Sequence, residues 1–326
     1  MKKQLLIAAV AATMTSVAMA DISISGAAKV NYTHVDNDGS VNDSDTFKQE
    51  MDLKIAGKSG DTSVTMNFGG MDSSSETNND AVSTFNLEDA YVATSIEGVN
   101  VKVGQWDNGN NELRASSRTS GKFAASTTVS GVTVTYEAGN AADDTVKVAG
   151  DVAGVALSFK DVKTGEDISV STTVGGVSLS YLALNRDEAN TDRSVATVSS
   201  SFGGVDVKYA QANAESGACI SGDTWMGDFE HTTYTCSTTD NTNAYYLNKD
   251  QDVAAISLKT SMAGNTVEFR NIEIDGTAGD DTSINKFIVT RALANGATFE
   301  ATYADVNDDG AATDNSSLDL ELAVKF

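Results

Sequence analysis

Apolar and polar residues alternate along most of this chain, in segments of roughly eight to fourteen residues. Residues 318–326, LDLELAVKF, show the pattern clearly, because every second residue is apolar up to Phe326. A period of two places the apolar side chains on one face of a strand and the polar ones on the other. The pattern therefore predicts an all-β protein whose strands are each apolar on one face and polar on the other.

The connections between these segments are alternately short and long. Eight glycine turns, which supply the positive φ of a tight hairpin, alternate with nine polar connections, one of them at Thr164. This count gives eighteen strands, or sixteen if the weak segment 145–152 and a neighbour are miscounted. The short turns lie at residues 59–61, 97–98, 130–131, 153–154, 175–176, 203–204, 263–264 and 294–296.

The order of short and long connections favours an up-and-down barrel over a β-sandwich, whose crossovers would mix the two kinds. The polar face is rich in Lys and Glu, and the chain contains no proline to interrupt long strands. A closed barrel satisfies every backbone hydrogen bond in lipid, and one of sixteen or eighteen strands encloses water. The sequence predicts a transmembrane antiparallel β-barrel with charged side chains lining its lumen.

Aromatic residues near segment ends are typical of the interfacial girdles of such barrels. Two positions break the alternation: Asp89 shares a face with Leu87 and Tyr91, and Arg291 shares one with Phe287, which leaves a β-bulge or a subunit contact open at each. The girdle candidates are Tyr32, Phe47, Tyr91, Tyr136, Tyr181, Tyr209 and Phe326.

Residues 1–20 have the basic start, apolar run and small-residue ending of a secretory signal peptide, so we expect a single mature barrel domain over residues 21–326. Without Lys2 and Lys3 the chain carries 20 basic and 46 acidic residues, a net charge of −26. This charge argues against a nucleic-acid partner. Cys219 and Cys236 are expected to form a disulfide in an oxidising compartment.

The chain resembles the general diffusion porins of Gram-negative outer membranes, particularly the alpha-proteobacterial type. The resemblance lies in the leader, DISISGAAKVNY at the mature start, LEDAYVATSIEGVNVKVGQWDNG, the repeated GGV turns and the last strand ending in Phe. It implies a homotrimer in a bilayer with lipopolysaccharide, and recognition of Phe326 by the outer-membrane assembly machinery. It also implies that the third long connection, residues 106–125, folds inward as a constriction loop.

This resemblance nominates charged residues for the pore constriction, where opposed charges would order water and disfavour apolar solutes. The acidic candidates are Asp107 and Glu112. The basic candidates are Arg114, Arg118 and Lys122 on the loop, and Lys29, Lys48, Lys54 and Lys102 on the wall.

Other chemistry has less support in the sequence. Asp305, Asn307 and Asp309 follow the start of a calcium loop, but the closing glutamate is absent, so these residues are weak candidates and no other cofactor is expected. The two histidines are isolated and no catalytic motif is present, which argues against an enzyme.

We therefore expect an outer-membrane porin, a water-filled channel for passive diffusion of ions and small hydrophilic solutes, with a mild preference for cations because its loops are acidic. The first alternative is a substrate-selective porin, for sugars if eighteen strands are present. The second is a secreted β-rich adhesin or surface protein.

Overall fold

A computed structural model describes residues 21–37, 43–75, 84–107, 113, 118–139, 144–188, 191–215, 251–276, 281–294, 296–308 and 315–326. Within these ranges the chain forms eighteen β-strands, and the same ranges contain no helix that is long and apolar enough to cross a membrane. The strands are β1 (Asp21–Asn37), β2 (Ser44–Ser59), β3 (Thr62–Ser75), β4 (Thr84–Ile96), β5 (Val99–Asp107), β6 (Arg118–Val129), β7 (Val132–Gly139), β8 (Thr145–Val152), β9 (Val155–Val162), β10 (Gly165–Val174), β11 (Val177–Arg186), β12 (Arg193–Phe202), β13 (Val205–Ala214), β14 (Gln251–Met262), β15 (Asn265–Gly276), β16 (Thr282–Ala292), β17 (Ala297–Asp308) and β18 (Asn315–Lys325).

The strands form one closed barrel. Each strand pairs antiparallel with the next along the chain, and β18 pairs with β1 to close the sheet. The count of eighteen is confirmed, because the weak segment at 145–152 is the full strand β8, paired with both of its neighbours. A closed sheet leaves no unpaired edge, which is the requirement for a sheet in lipid.

The two faces of the barrel differ as the alternation predicted. Large apolar side chains point outward and are solvent-exposed in the isolated chain, up to 85% for Phe202. The intervening positions point into the lumen and include Lys29, Lys102 and Arg270. A β-sandwich would bury its apolar face in a dry core, so that alternative is wrong.

The short turns lie where the sequence placed them, with glycine at positive φ, for example Gly98 at 84° and Gly204 at 83°. The prediction of a long connection at Thr164 is wrong. Gly165 pairs with Val162, so only Lys163 and Thr164 link β9 to β10. Its polar sequence resembles a loop, but the register of the two strands closes it as a tight hairpin.

Phe326 closes the barrel seam. Its backbone N–H donates to the carbonyl of Gly26 at 3.0 Å, and the Gly26 N–H donates to the Phe326 carbonyl at 2.8 Å. A Cβ at position 26 would lie 2.6 Å from the Phe326 ring and 2.5 Å from the Asp52 carbonyl oxygen. Glycine is thus needed for the terminal ring to lie over β1, as aromatic side chains do over strand glycines elsewhere.

The predicted leader and the predicted disulfide between Cys219 and Cys236 both lie outside the described residues, and both stay predictions.

Candidate functional site

A β-bulge in β4 resolves the ambiguity at Asp89. Asn67 of β3 pairs with Asp89 and Phe68 with Leu87, so Glu88 is the extra residue of β4 at this point of the ladder. The extra residue turns Asp89 into the lumen, where its carboxylate accepts the Asn67 amide at 2.6 Å and the Asp107 N–H at 3.1 Å. The bulge alternative is therefore confirmed.

The same bulge turns Tyr91 inward, so its assignment to the outer girdle was wrong. Its ring meets Trp106 edge to face, with centroids 6.3 Å apart. Lys102 lies 3.8 Å above the Tyr91 ring and 4.4 Å from the Trp106 ring, and Lys122 also lies 4.4 Å from Trp106. Each cation–π contact contributes about 0.5–2 kcal/mol, which holds both ammonium groups against the wall where the third long connection begins and ends.

Gly104 makes this arrangement possible. Its φ is 141°, and a Cβ there would lie 2.1 Å from the Ala90 carbonyl oxygen. We expect Gly104→Ala to lower the free energy of unfolding by about 1–3 kcal/mol, because β5 must move away from β4. Urea titration in detergent micelles measures this. Gly57→Ala is the control, since a Cβ at Gly57 meets nothing within 4 Å, and equal losses in both variants would contradict the expectation.

Leu113 shows that the third long connection enters the lumen. It follows β5, yet its side chain is fully buried in a cluster with residues of β11–β16. Arg193 of β12, seven strands further along the wall, donates from Nη1 to the Leu113 carbonyl at 3.1 Å. The chain therefore reaches across the barrel at this point, as expected for an inward-folded constriction loop.

Leu113 packs on an unusual part of the inner face, which we name the apolar inner wall. It lies toward the long-connection end of β11–β16, where lumen-facing positions are apolar and buried instead of charged. The sequence carries a signal for it, since YLAL at 181–184 and the isoleucines of β15 and β16 place apolar residues on both faces of their strands. The apolar inner wall comprises Leu184, Val195, Ala210, Ala212, Ala214, Val253, Ala255, Ile272, Ile274 and Ile284.

The predicted constriction residues fall into three groups. Lys102 and Lys122 meet at Trp106, and Asp107 pairs with Arg118 through the backbone. Arg118 and Lys122 belong to strand β6, so their placement on the loop was wrong. Lys29, Lys48 and Lys54 face the lumen from β1 and β2, away from that group. Glu112, Arg114 and the Arg118 side chain lie outside the described residues, so the constriction assignment as a whole stays a prediction.

A second set of lumen residues, of which only Lys29 was named from the sequence as a site residue, forms a charged inner wall on β14–β18, β1 and β2. Lys29 Nζ lies 2.8 Å from Glu50 and 3.9 Å from Glu321. Arg270 Nε lies 2.6 Å from Glu268. The alternation already placed these side chains in the lumen, but only the strand register shows which of them meet.

The calcium candidates receive no further support. Asp305 and Asn307 point to the outer face of β17, and Asp309 lies outside the described residues. In the part of the chain that the structure covers, no group of three or more His, Cys, Asp or Glu side chains could hold a metal ion.

Comparison with solved structures places this barrel among known folds. OccK2 (OpdF) of Pseudomonas aeruginosa matches with a TM-score of 0.66 and 14% identity, over 94% of this chain and 98% of that one. The fold is that of outer-membrane porins. OccAB4 of Acinetobacter baumannii matches with a TM-score of 0.64 and 10% identity over 94% and 98% of the two chains. The outer membrane protein OprD of P. aeruginosa matches with 0.61 and 12% over 94% of each.

No family model and no curated protein sequence matches the chain. Identities this low show the fold alone, which is a membrane-spanning barrel of the outer-membrane type. What such a barrel passes depends on the side chains inside it.

Proposed function

We propose that the protein is an outer-membrane channel that passes small hydrophilic solutes and selects among them. The apolar outer wall suits lipid, and an eighteen-stranded lumen is too wide for its wall side chains to fill. The docking of Leu113 on the apolar inner wall carries the proposal, because it narrows the lumen beside a charged surface. This arrangement favours the substrate-selective alternative over general diffusion.

Selection in such a channel rests on fixed charges beside a narrow water path. The charged inner wall presents both signs, held by short contacts such as Lys29 to Glu50 and Arg270 to Glu268. Ordered charges orient water and polar solutes and disfavour apolar ones. A selective polar channel follows from this lining, with sugars as one candidate class.

Reconstitution tests the function directly. Protein purified in detergent should produce discrete current steps in planar bilayers and should let liposomes swell in small sugars faster than in large ones. A secreted adhesin would stay soluble without detergent and would produce no steps. Equal swelling rates for neutral and charged solutes of one size would support general diffusion instead of selection.

The ion preference is a separate prediction. The net charge of −26 without the leader should concentrate cations near the entrance, so we expect a mild preference for K⁺ over Cl⁻. Reversal potentials in a KCl gradient measure it, and the preference should weaken near 1 M salt, where the screening length falls to about 3 Å. Clear anion preference at low salt would reject it.

We also expect the protein to form a homotrimer, as the porin resemblance implies. The same resemblance implies that the assembly machinery recognises Phe326. Cross-linking of the protein in intact outer membranes tests the trimer, and a product limited to the monomer would reject it.

A further inference from the structure

A partly enclosed cavity of about 210 Å³ lies in the charged inner wall, between β14 and β1. It is smaller than the roughly 300–1,000 Å³ of pockets for drug-sized ligands, so it suits a small solute. Lys286 and Asp319 line it and are both buried, each only 6% exposed. Hydroxyl and amide groups of Thr290, Thr302 and Asn31 complete the lining.

The charges of this cavity are separated by sign. Strands β14–β16 contribute Lys259, Arg270 and Lys286 against the single carboxylate of Glu268, a net charge of +2. Strands β17 and β18 contribute three carboxylates, from Glu300, Asp319 and Glu321. Lys29 of β1 lies 2.8 Å from Glu50 and 3.9 Å from Glu321, so it adds no net charge together with Glu50 and that side stays at −3. The cavity therefore has a cationic side with a net charge of +2 and an anionic side with a net charge of −3.

Neighbouring side chains hold the carboxylates in place on both sides. The Thr290 hydroxyl donates to Glu300 at 2.8 Å, and the Thr33 hydroxyl donates to Asp319. Glu268 accepts from Ser257 at 2.8 Å and from Arg270 at 2.6 Å. Because these groups are already oriented, a ligand would cost little reorganisation on binding.

We propose that this cavity binds small zwitterions, with the solute's anionic group toward Arg270 and Lys286 and its ammonium group toward Glu300 and Glu321. Strands β16 and β18 are two strand spacings apart, about 10 Å, and side chains from both shorten the gap to amino-acid size. A solute with one charge would gain on one side and be repelled on the other. This inference rests on the proposed channel function and names its solute class.

Current block tests the inference with four probes of similar size and different charge. β-Alanine is the zwitterion, propionate the anion, propylammonium the cation and lactamide the neutral compound. Each is titrated against the KCl current of the full-length protein in planar bilayers. We expect β-alanine to halve the current at a concentration at least about tenfold lower than any of the other three, which corresponds to about 1.4 kcal/mol.

Two variants should shift this preference in opposite directions. Glu300→Gln should weaken β-alanine block and strengthen propionate block, and Lys286→Gln should weaken β-alanine block and strengthen propylammonium block. Lys147→Gln is the matched control, because Lys147 faces the lumen from β8, outside the cavity. It should leave the order of the four probes unchanged.

The possible results separate the two proposals. Equal block by all four probes, or equal loss in K286Q and K147Q, would overturn the zwitterion site while leaving a conducting channel. Shifts in the same direction for E300Q and K286Q would also overturn it, since they would report general damage to the wall. Absence of any KCl current from folded barrels would overturn the channel function, and the site with it.

Discussion

A Leu113→Lys channel should carry at least about twice the wild-type single-channel current, because we propose that Leu113, docked on the apolar inner wall, narrows the lumen. Leu113 is fully buried on the apolar inner wall, and the Arg193 guanidinium contacts its carbonyl group. An ammonium group in this position would be desolvated and repelled by Arg193, at a cost of several kcal/mol. Each increment of about 1.4 kcal/mol changes the ratio of docked to undocked channels tenfold, so a cost of several kcal/mol would leave position 113 undocked in almost all channels.

Milder variants should raise the single-channel current by an amount that follows the strength of the contact that they remove. Leu113→Ala loses packing worth about 2–5 kcal/mol and should also raise the current. Arg193→Met removes one hydrogen bond from a charged donor to the Leu113 carbonyl, worth about 1.5–3 kcal/mol, so its effect should be smaller than that of Leu113→Ala. In liposome swelling, the size limit for sugars should be highest in Leu113→Lys, lower in Leu113→Ala and lowest of the three in Arg193→Met.

Ser158→Lys is the control for added charge. Ser158 faces the lumen from β9, and the described residues of the apolar inner wall lie elsewhere. It should alter ion preference slightly while leaving the size limit unchanged. If L113K and S158K have the same size limit, and both give heat-modifiable barrels on gels, the docked segment does not set the width of the channel.

Gly26→Val should largely prevent the barrel from closing. The new Cβ would lie 2.5 Å from the Asp52 carbonyl oxygen and 2.6 Å from the Phe326 ring, so β1 cannot keep both of its neighbours. In lipid each unsatisfied backbone group costs several kcal/mol, and the two hydrogen bonds between Gly26 and Phe326 end the β1–β18 ladder that closes the barrel. We expect a loss of more than about 4 kcal/mol, which is exceptional for one substitution.

Refolding into detergent micelles measures this loss. The yield of the compact, heat-modifiable form on unheated gels should be near zero for G26V and near normal for Gly57→Val, whose position has open space. Because no assembly machinery is present, the assay isolates the structural contribution of Phe326 from its recognition. The G26A/F326A double variant should recover only part of the yield that G26A loses. Removal of the Phe326 ring relieves one clash, but the contact with the Asp52 carbonyl oxygen remains. Equal yields for G26V and G57V would contradict the role of the seam.

The strand count and the two faces could be predicted because both are local properties. Strand β15 is typical: Val267 and Phe269 alternate with Glu268 and Arg270, and the glycine turn at 263–264 precedes the strand. Such patterns depend on neighbouring residues alone, so they can be recognised without knowledge of the rest of the chain. The connection between β9 and β10 was wrong because polar composition does not distinguish a loop from a two-residue hairpin.

The site could be predicted less well, for two physical reasons. A bulge changes the face of every residue after it, and nothing in the local sequence specified Glu88 as the extra residue that turns Asp89 and Tyr91 inward. Leu113 is an isolated apolar residue in a polar stretch, and the surface that buries it comes from strands more than 70 positions later. The alternation predicted which residues face the lumen, but it did not predict which of them contact each other.

The sequence by itself determined that this chain forms a long series of two-faced strands, with short turns at one end and longer connections at most positions of the other. Only the tertiary structure decided what those faces build inside the barrel. Thr33 donates to Asp319 and Lys29 lies between Glu50 and Glu321, although these residues are far apart in the chain. Such contacts arise from strand register and from the closure of β1 on β18, and both are set by all eighteen strands pairing at once.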